Sequence, residues 1–410
     1  MSVAPSIDPD RIGFDPVRLA RIDEHFRGYV DDGRLAGWQI VVTRRGEIAH
    51  SSTYGMRDLE AGAPVEQDTL WRIYSMTKPV TSAAAMMLWE EGRIELTDPI
   101  SRYLPEFADV RVYDRGSLLK PYTVPAVEPI RIWHLLTHTS GLTYGFAQVS
   151  VVDGLYRAAG FDLGVPAGAD LAAASEGLAR LPLLFQPGSS WNYGVSTDVL
   201  GRLVEVVSGQ RLDAFFAERI FRPLGMTDTR WWVDEADAKR LAALYAPHPA
   251  TGKAFRADTF GRAALAEPTW HSGGAGLISM AADYHRFTQM LLRGGELDGV
   301  RLLGPRTVRF MTRNHLPDGR DLASFSPEGF SETVLDGIGF GLGFAVVQDP
   351  VPARVPSSVG EYYWGGLAST AFWVDPVEEV TALLFTQLMP SSTYPLRPQL
   401  RQLVYSALVD

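Results

Sequence analysis

The run Pro79-Val80-Thr81-Ser82-Ala83-Ala84-Ala85-Met86-Met87-Leu88-Trp89 carries no charge and is rich in small side chains. A helix that is apolar all round has to be buried all round, so this segment belongs at the centre of whatever the chain folds into. Directly before it stands Ser75-Met76-Thr77-Lys78. Positions i and i+3 share a helix face, so the Ser75 hydroxyl and the Lys78 amine meet at the helix start. A buried amine gives up its proton more readily than an exposed one. Once neutral, it can take the hydroxyl proton and make the serine a nucleophile. Pro79 falls in the first turn, where backbone N–H groups lack helical partners anyway, so its missing donor costs little.

The same spacing recurs at Ser117-Leu118-Leu119-Lys120, but Pro121 follows at once and no apolar helical run comes after it. This second copy reads as a loop. Lysine usage separates the two further. The chain has 38 Lys+Arg, yet its lysines are Lys78, Lys120, Lys239 and Lys253; surface cations are nearly always arginine. A lysine at the head of a buried helix is then there for chemistry. Arginine could not serve, because its pKa stays too high for it to lose a proton.

With 410 residues, 46% hydrophobic and 21% charged, the chain has ordinary globular composition, enough for one large or two intimate domains. A net charge of −10 without a basic cluster argues against nucleic acid and anionic membrane as partners. The absence of cysteine excludes disulfides, thiolate metal sites and cysteine nucleophiles. The first residues show neither a basic n-region nor an apolar h-region, and no apolar stretch approaches the roughly 18 residues of a membrane span. The default expectation is a cytoplasmic enzyme. Nothing in the sequence sets its oligomeric state.

Residues 16–32 read as an amphipathic helix, and 38–43 and 47–51 as strands of a hairpin turning at Arg44-Arg45-Gly46. Helical signals then dominate, at 128–137, 171–180, 195–208, 211–221, 281–292 and 305–313. Strand signals return at 341–347, 371–374 and 380–385, and 398–409 reads as a closing helix. The expected fold is α+β: an antiparallel sheet built from both termini and flanked by helices, with a mainly helical domain inserted. The division is 1–75 plus 340–410 against 76–339, with the active site in the cleft between them.

Several segments run in an order that carries a resemblance. They are Ser75-Met76-Thr77-Lys78, Leu135-Leu136-Thr137-His138-Thr139-Ser140-Gly141-Leu142, Phe185-Gln186-Pro187-Gly188-Ser189-Ser190-Trp191-Asn192-Tyr193, Pro223-Leu224-Gly225-Met226, Ser272-Gly273-Gly274-Ala275-Gly276-Leu277 and Trp364-Gly365-Gly366. From about residue 15 onward the chain resembles the class C β-lactamase and D-alanyl-D-alanine peptidase superfamily, and within it the family VIII carboxylesterases. The resemblance implies a serine β-lactamase-like fold, Ser75 as nucleophile and Lys78 as its base partner. Tyr193-Gly194-Val195 stands at the place of the family's Tyr-x-Asn. It implies Tyr193 as a proton relay, its phenol pKa lowered by the lysine. Trp364-Gly365-Gly366 stands at the place of the lactamases' Lys-Thr-Gly, where small residues let a strand edge approach the substrate. The backbone N–H groups of Ser75 and Leu367 would form the oxyanion hole. No cofactor is implied.

Two departures move the expectation away from lactams. Trp364 and Gly365 replace the Lys-Thr pair that helps hold a substrate carboxylate. Val195 replaces an asparagine, and its side chain cannot hydrogen-bond an acyl amide. Both changes favour a neutral, small or short-chain carboxylic ester as the partner molecule. A β-lactamase, a D-alanyl-D-alanine peptidase, an acyltransferase of the same fold and a non-catalytic binding member are the alternatives. G-x-S-x-G is absent, against an α/β-hydrolase. His134 and His138 are four apart on a helix but lack a carboxylate motif, so they read as structural and no metal is expected. Gly273, Gly274 and Gly276 read as close packing before a helix capped by Ser279. The pocket walls are expected from loops including 104–127, 143–170 and 315–336.

Overall fold

The structure, a computed structural model, describes residues 3–257, 262–326 and 331–410. The helices that position the site are α1 (Arg21–Asp31), α2 (Thr77–Glu90), α3 (Ser196–Ser208), α4 (Ala281–Leu292) and α5 (Leu396–Ser406). The main sheet contains β1 (Gly37–Arg44), β2 (Glu47–Asp58), β3 (Ala63–Pro64), β4 (Ile338–Phe340), β5 (Ala345–Val347), β6 (Tyr362–Gly365), β7 (Ala371–Asp375) and β8 (Val380–Phe385). Its order is β4-β5-β6-β7-β8-β1-β2-β3, antiparallel throughout, so the two ends of the chain meet where β1 pairs with β8. The α+β expectation of a sheet built from both termini holds.

Antiparallel sheets usually alternate apolar and polar residues, because one face meets water. Strand β1 is instead buried along its whole length, since helices cover both faces. On one face the Trp38 indole donates to the Phe26 carbonyl of α1 at 3.0 Å. On the other, Gln289 of α4 donates to the hydroxyls of Thr43 and Thr381 at 3.0 and 2.9 Å. Helix α4 thus reaches out of the 76–339 segment onto the sheet. Helix α2 is buried from Thr77 through Leu88 and packs against α3, as its apolar circumference demands. No described helix is long and apolar enough to cross a membrane.

Three local expectations are corrected. The 341–347 stretch is not one strand: β4 and β5 pair across a reversal at Gly341–Phe344. Gly343 sits there at φ +98°, and a side chain on it would run into Ser82 of α2. The glycines that looked like strand residues are what let the chain turn. Second, residues 111–117 and 120–125 form a hairpin, with Ser117 paired to Lys120 across the turn. It is almost wholly exposed, so it shows no burial alternation by which a strand could be recognised. Third, α4 is capped by Met280 without a side-chain bond; the Ser279 hydroxyl pairs with Thr229 instead, at 2.8 Å.

Candidate active site

Ser75 sits on a single 3₁₀ turn, Tyr74–Met76, that leads into α2. The residue before it, Tyr74, adopts φ +43°, a left-handed conformation that is costly for a side chain of this size. The neighbouring backbone holds it there. Ile73 N–H donates to the Leu277 carbonyl at 3.0 Å, Leu277 N–H to the Thr77 hydroxyl at 3.1 Å, and the Tyr284 hydroxyl to the Met76 carbonyl at 2.8 Å.

Lys78 lies one turn further on and is 2% exposed. Its Nζ donates to Ser75 Oγ at 3.2 Å, Tyr144 Oη at 2.9 Å and the Gly274 carbonyl at 2.7 Å. Those acceptors match the three N–H groups of an ammonium. Burial pulls the Lys78 pKa down to about 8, against the opposing pull of Asp198 and Glu332. The amine therefore loses its proton as the pH rises through about 8 and can then accept one from a hydroxyl.

Tyr193 is brought into the same cluster. Its hydroxyl bonds to Ser75 and accepts from Trp364 Nε1 at 3.2 Å, while Lys78 Nζ sits 4.6 Å from its ring centroid. The expectation of a lowered phenol pKa is overturned. Burial, the largest influence, pushes the Tyr193 pKa above that of an ordinary phenol, and the lysine lies over the ring face instead of on the oxygen. Tyr193 is thus a neutral hydroxyl at rest. Gly194 is required beside it, since a Cβ there would come within 2.7 Å of Thr143 Cα.

A cavity of about 290 Å³ opens onto these groups. Ser75, Tyr193, Val195 and Leu367 line it, and Phe146, Phe161, Trp231, Trp270, Leu277 and Ile278 give it an apolar wall. No hydrogen bond is made by the Leu367 N–H among the described residues. Trp364, at 2% exposure, lies behind Tyr193, outside the cavity lining. Gly365 and Gly366 are also outside it. Side chains there would run into the Arg397 guanidinium and the Ile73 carbonyl respectively. The strand edge thus comes close to protein backbone and to Arg397, which Glu332 holds at 2.9 Å.

Of the loops expected to wall the pocket, 143–170 contributes Tyr144, Phe146 and Phe161–Gly164, and 315–336 contributes Glu332. Residues 327–330 of the latter lie outside the described residues. The 104–127 segment does not line it, because its hairpin stands away from the cavity. Sequence reasoning missed Tyr144, although it follows the quoted 135–142 segment by two residues. It also missed the Gly274 carbonyl, having taken those glycines for packing alone. Packing is part of the truth: a Cβ on Gly273 would come 2.7 Å from the Thr197 carbonyl. His134 Nδ1 accepts from the Arg131 N–H at 3.0 Å, and His138 packs against Tyr193 with ring centroids 5.0 Å apart and the planes tilted by 57°.

The family model described as Beta-lactamase matches residues 22–406. The chain is 39% identical to Protein Rv1367c of Mycobacterium tuberculosis, over 89% of this chain and 88% of that one. It is 34% identical to Esterase EstB of Burkholderia gladioli, over 98% and 99%. Among solved structures, EstCE1, described as a hydrolase with promiscuous acyltransferase activity, superposes with a TM-score of 0.81. It shares 28% identity and covers 95% of this chain and 99% of its own.

Proposed function

The chain belongs to the beta-lactamase family, and on that premise we propose that it is a serine carboxylesterase working through an acyl-enzyme on Ser75. The observation that carries the reading is Lys78, buried beside the Oγ of Ser75, which lines an apolar cavity; burial draws the Lys78 pKa down to about 8. The likeness to an esterase over nearly the whole chain supports it.

In this mechanism neutral Lys78 takes the Ser75 proton as Oγ attacks the ester carbonyl. The backbone N–H groups of Ser75 and Leu367 receive the oxyanion, each such donor contributing on the order of 3 kcal/mol. As the tetrahedral intermediate collapses, the bond to the alcohol breaks. Tyr193 hands its proton to the departing oxygen and is reprotonated from Lys78 through the Tyr144 hydroxyl, which bonds to both. Water then attacks the acyl-enzyme by the same route in reverse, giving up its proton to regenerate Ser75 and release the acid. Val195 contributes an apolar wall. Trp364 acts through Tyr193, and Gly365 and Gly366 let the strand edge close onto the Ser75 turn. We read the chain as two lobes, 1–75 with 340–410 and 76–339, with Ser75 at their junction. Neutral small-molecule esters are the preferred substrates, because the nearby Arg397 is engaged by Glu332 and by the Gly366 and Thr370 carbonyls.

Brief exposure to a panel of p-nitrophenyl esters, followed by intact-protein mass measurement, tests this. The expected result is an acyl adduct on Ser75 and no hydrolysis by Ser75→Ala. Retained activity in Ser75→Ala would sink the proposal. EstCE1's description as a hydrolase with promiscuous acyltransferase activity favours a second reading. Under it, an added alcohol captures the acyl group as a new ester faster than water releases acid. Nitrocefin hydrolysis outpacing ester hydrolysis would instead favour a β-lactamase.

A further inference from the structure

We propose that Asp198 is the positioning residue for Lys78: acting through Ser272 it orients the peptide whose carbonyl holds the amine, and its charge balances the ammonium formed when Ser75 is deprotonated. This rests on the Ser75–Lys78 reading above.

Asp198 stands in the first turn of α3 and is 5% exposed. Its Oδ1 accepts from Ser272 Oγ at 2.6 Å and from Gly274 N–H at 3.1 Å. Ser272 Oγ in turn accepts from Ala275 N–H at 2.9 Å. That N–H belongs to the same peptide unit as the Gly274 carbonyl, which takes the 2.7 Å bond from Lys78 Nζ. An unbroken chain of hydrogen bonds therefore runs from the carboxylate to the amine. The turn is wrapped so tightly on Asp198 that a Cβ on Gly274 would lie 2.5 Å from Oδ2.

The charges around Lys78 single out the same residue. Tyr144 and Tyr193 both have pKa values raised by burial, and His138 is pushed well below its usual value by burial, so all three are neutral. Two carboxylates remain, Asp198 and Glu332. Glu332 is already paired with Arg397 at 2.9 Å, whereas no arginine pairs with Asp198 among the described residues. Burial raises the Asp198 pKa, and Lys78 is the foremost influence drawing it back. A carboxylate facing Lys78 favours its ammonium form.

Two variants separate the roles. Asp198→Asn keeps an acceptor oxygen for Ser272 and Gly274 but removes the charge. The rising limb of its kcat/KM profile should move at least ~1 unit toward acid, with the plateau within ~10-fold of the parent. Ser272→Ala keeps the charge but breaks the chain to the Ala275 N–H. Its limb should stay in place while its plateau kcat falls ~10-fold or more. Glu332→Gln should move the limb less than Asp198→Asn does. An Asp198→Asn limb coincident with that of the parent overturns the proposal. Activity persisting in Ser75→Ala is a separate result and would overturn the nucleophile assignment instead.

Discussion

Lys78 meets three acceptors, and that count decides its resting state. An ammonium satisfies all three, whereas a neutral amine keeps two N–H bonds and turns its lone pair to a hydroxyl. Only the neutral form can take the Ser75 proton. With a pKa of about 8, the rate should be low where the amine is protonated, climb as pH rises through about 8, and level off above it. A kcat/KM profile on a neutral ester, whose own charge does not titrate, reads this directly; a limb centred below 7 would contradict it. Lys78→Ala and Tyr193→Phe should each lower kcat by at least ~100-fold. Trp364→Phe should cost less. It removes the indole N–H that steadies the Tyr193 oxygen but leaves the ring packing, so a loss near 10-fold in kcat with little change in KM is expected. A Trp364→Phe enzyme with unchanged kcat would show that the indole does nothing for Tyr193.

At the scale of elements, legibility followed burial. Helix α2 could be read because its apolar circumference has one physical explanation, and the Ser75–Lys78 pair is local to it. The helix at 281–292 is legible from a different sign, a periodic apolar face that lies on the sheet. Tyr144 was invisible because its role depends on where a loop crosses Lys78, and spacing along the chain does not encode that. The Gly274 carbonyl was hidden more deeply still, since a main-chain oxygen carries no side-chain signature. The 111–125 hairpin escaped because solvent meets nearly all of it. Its position away from the cavity predicts silence: Leu119, 98% exposed at the tip, should tolerate Asp with a stability change within ~0.5 kcal/mol and unaltered ester hydrolysis. A fall in kcat/KM on a water-soluble ester would place the hairpin in the reaction after all.

Across the whole molecule, the sheet joins chain segments more than three hundred positions apart, and the site depends on that junction. Strand β8 pairs with β1 on one side and with β7 on the other, β7 pairs with β6, and β6 leads through Gly365 into Leu367 beside Ser75. Gln289 ties this seam to α4 by donating to Thr43 of β1 and Thr381 of β8, while those two hydroxyls also bond each other. The same helix α4 carries Tyr284, which holds the Met76 carbonyl next to Ser75. Loosening the seam should therefore weaken both ends of the chain together. Gln289→Ala removes the bridging amide and leaves a buried gap, for an expected loss of about 2–4 kcal/mol. Gln289→Met fills the space and leaves the two threonines paired, so it should cost less than half as much. In urea, tryptophan fluorescence and residual esterase activity should fall at one shared midpoint in each variant, shifted further for Ala than for Met. Two separated midpoints would mean that the sheet and the site unfold independently, and that the seam does not hold the molecule together.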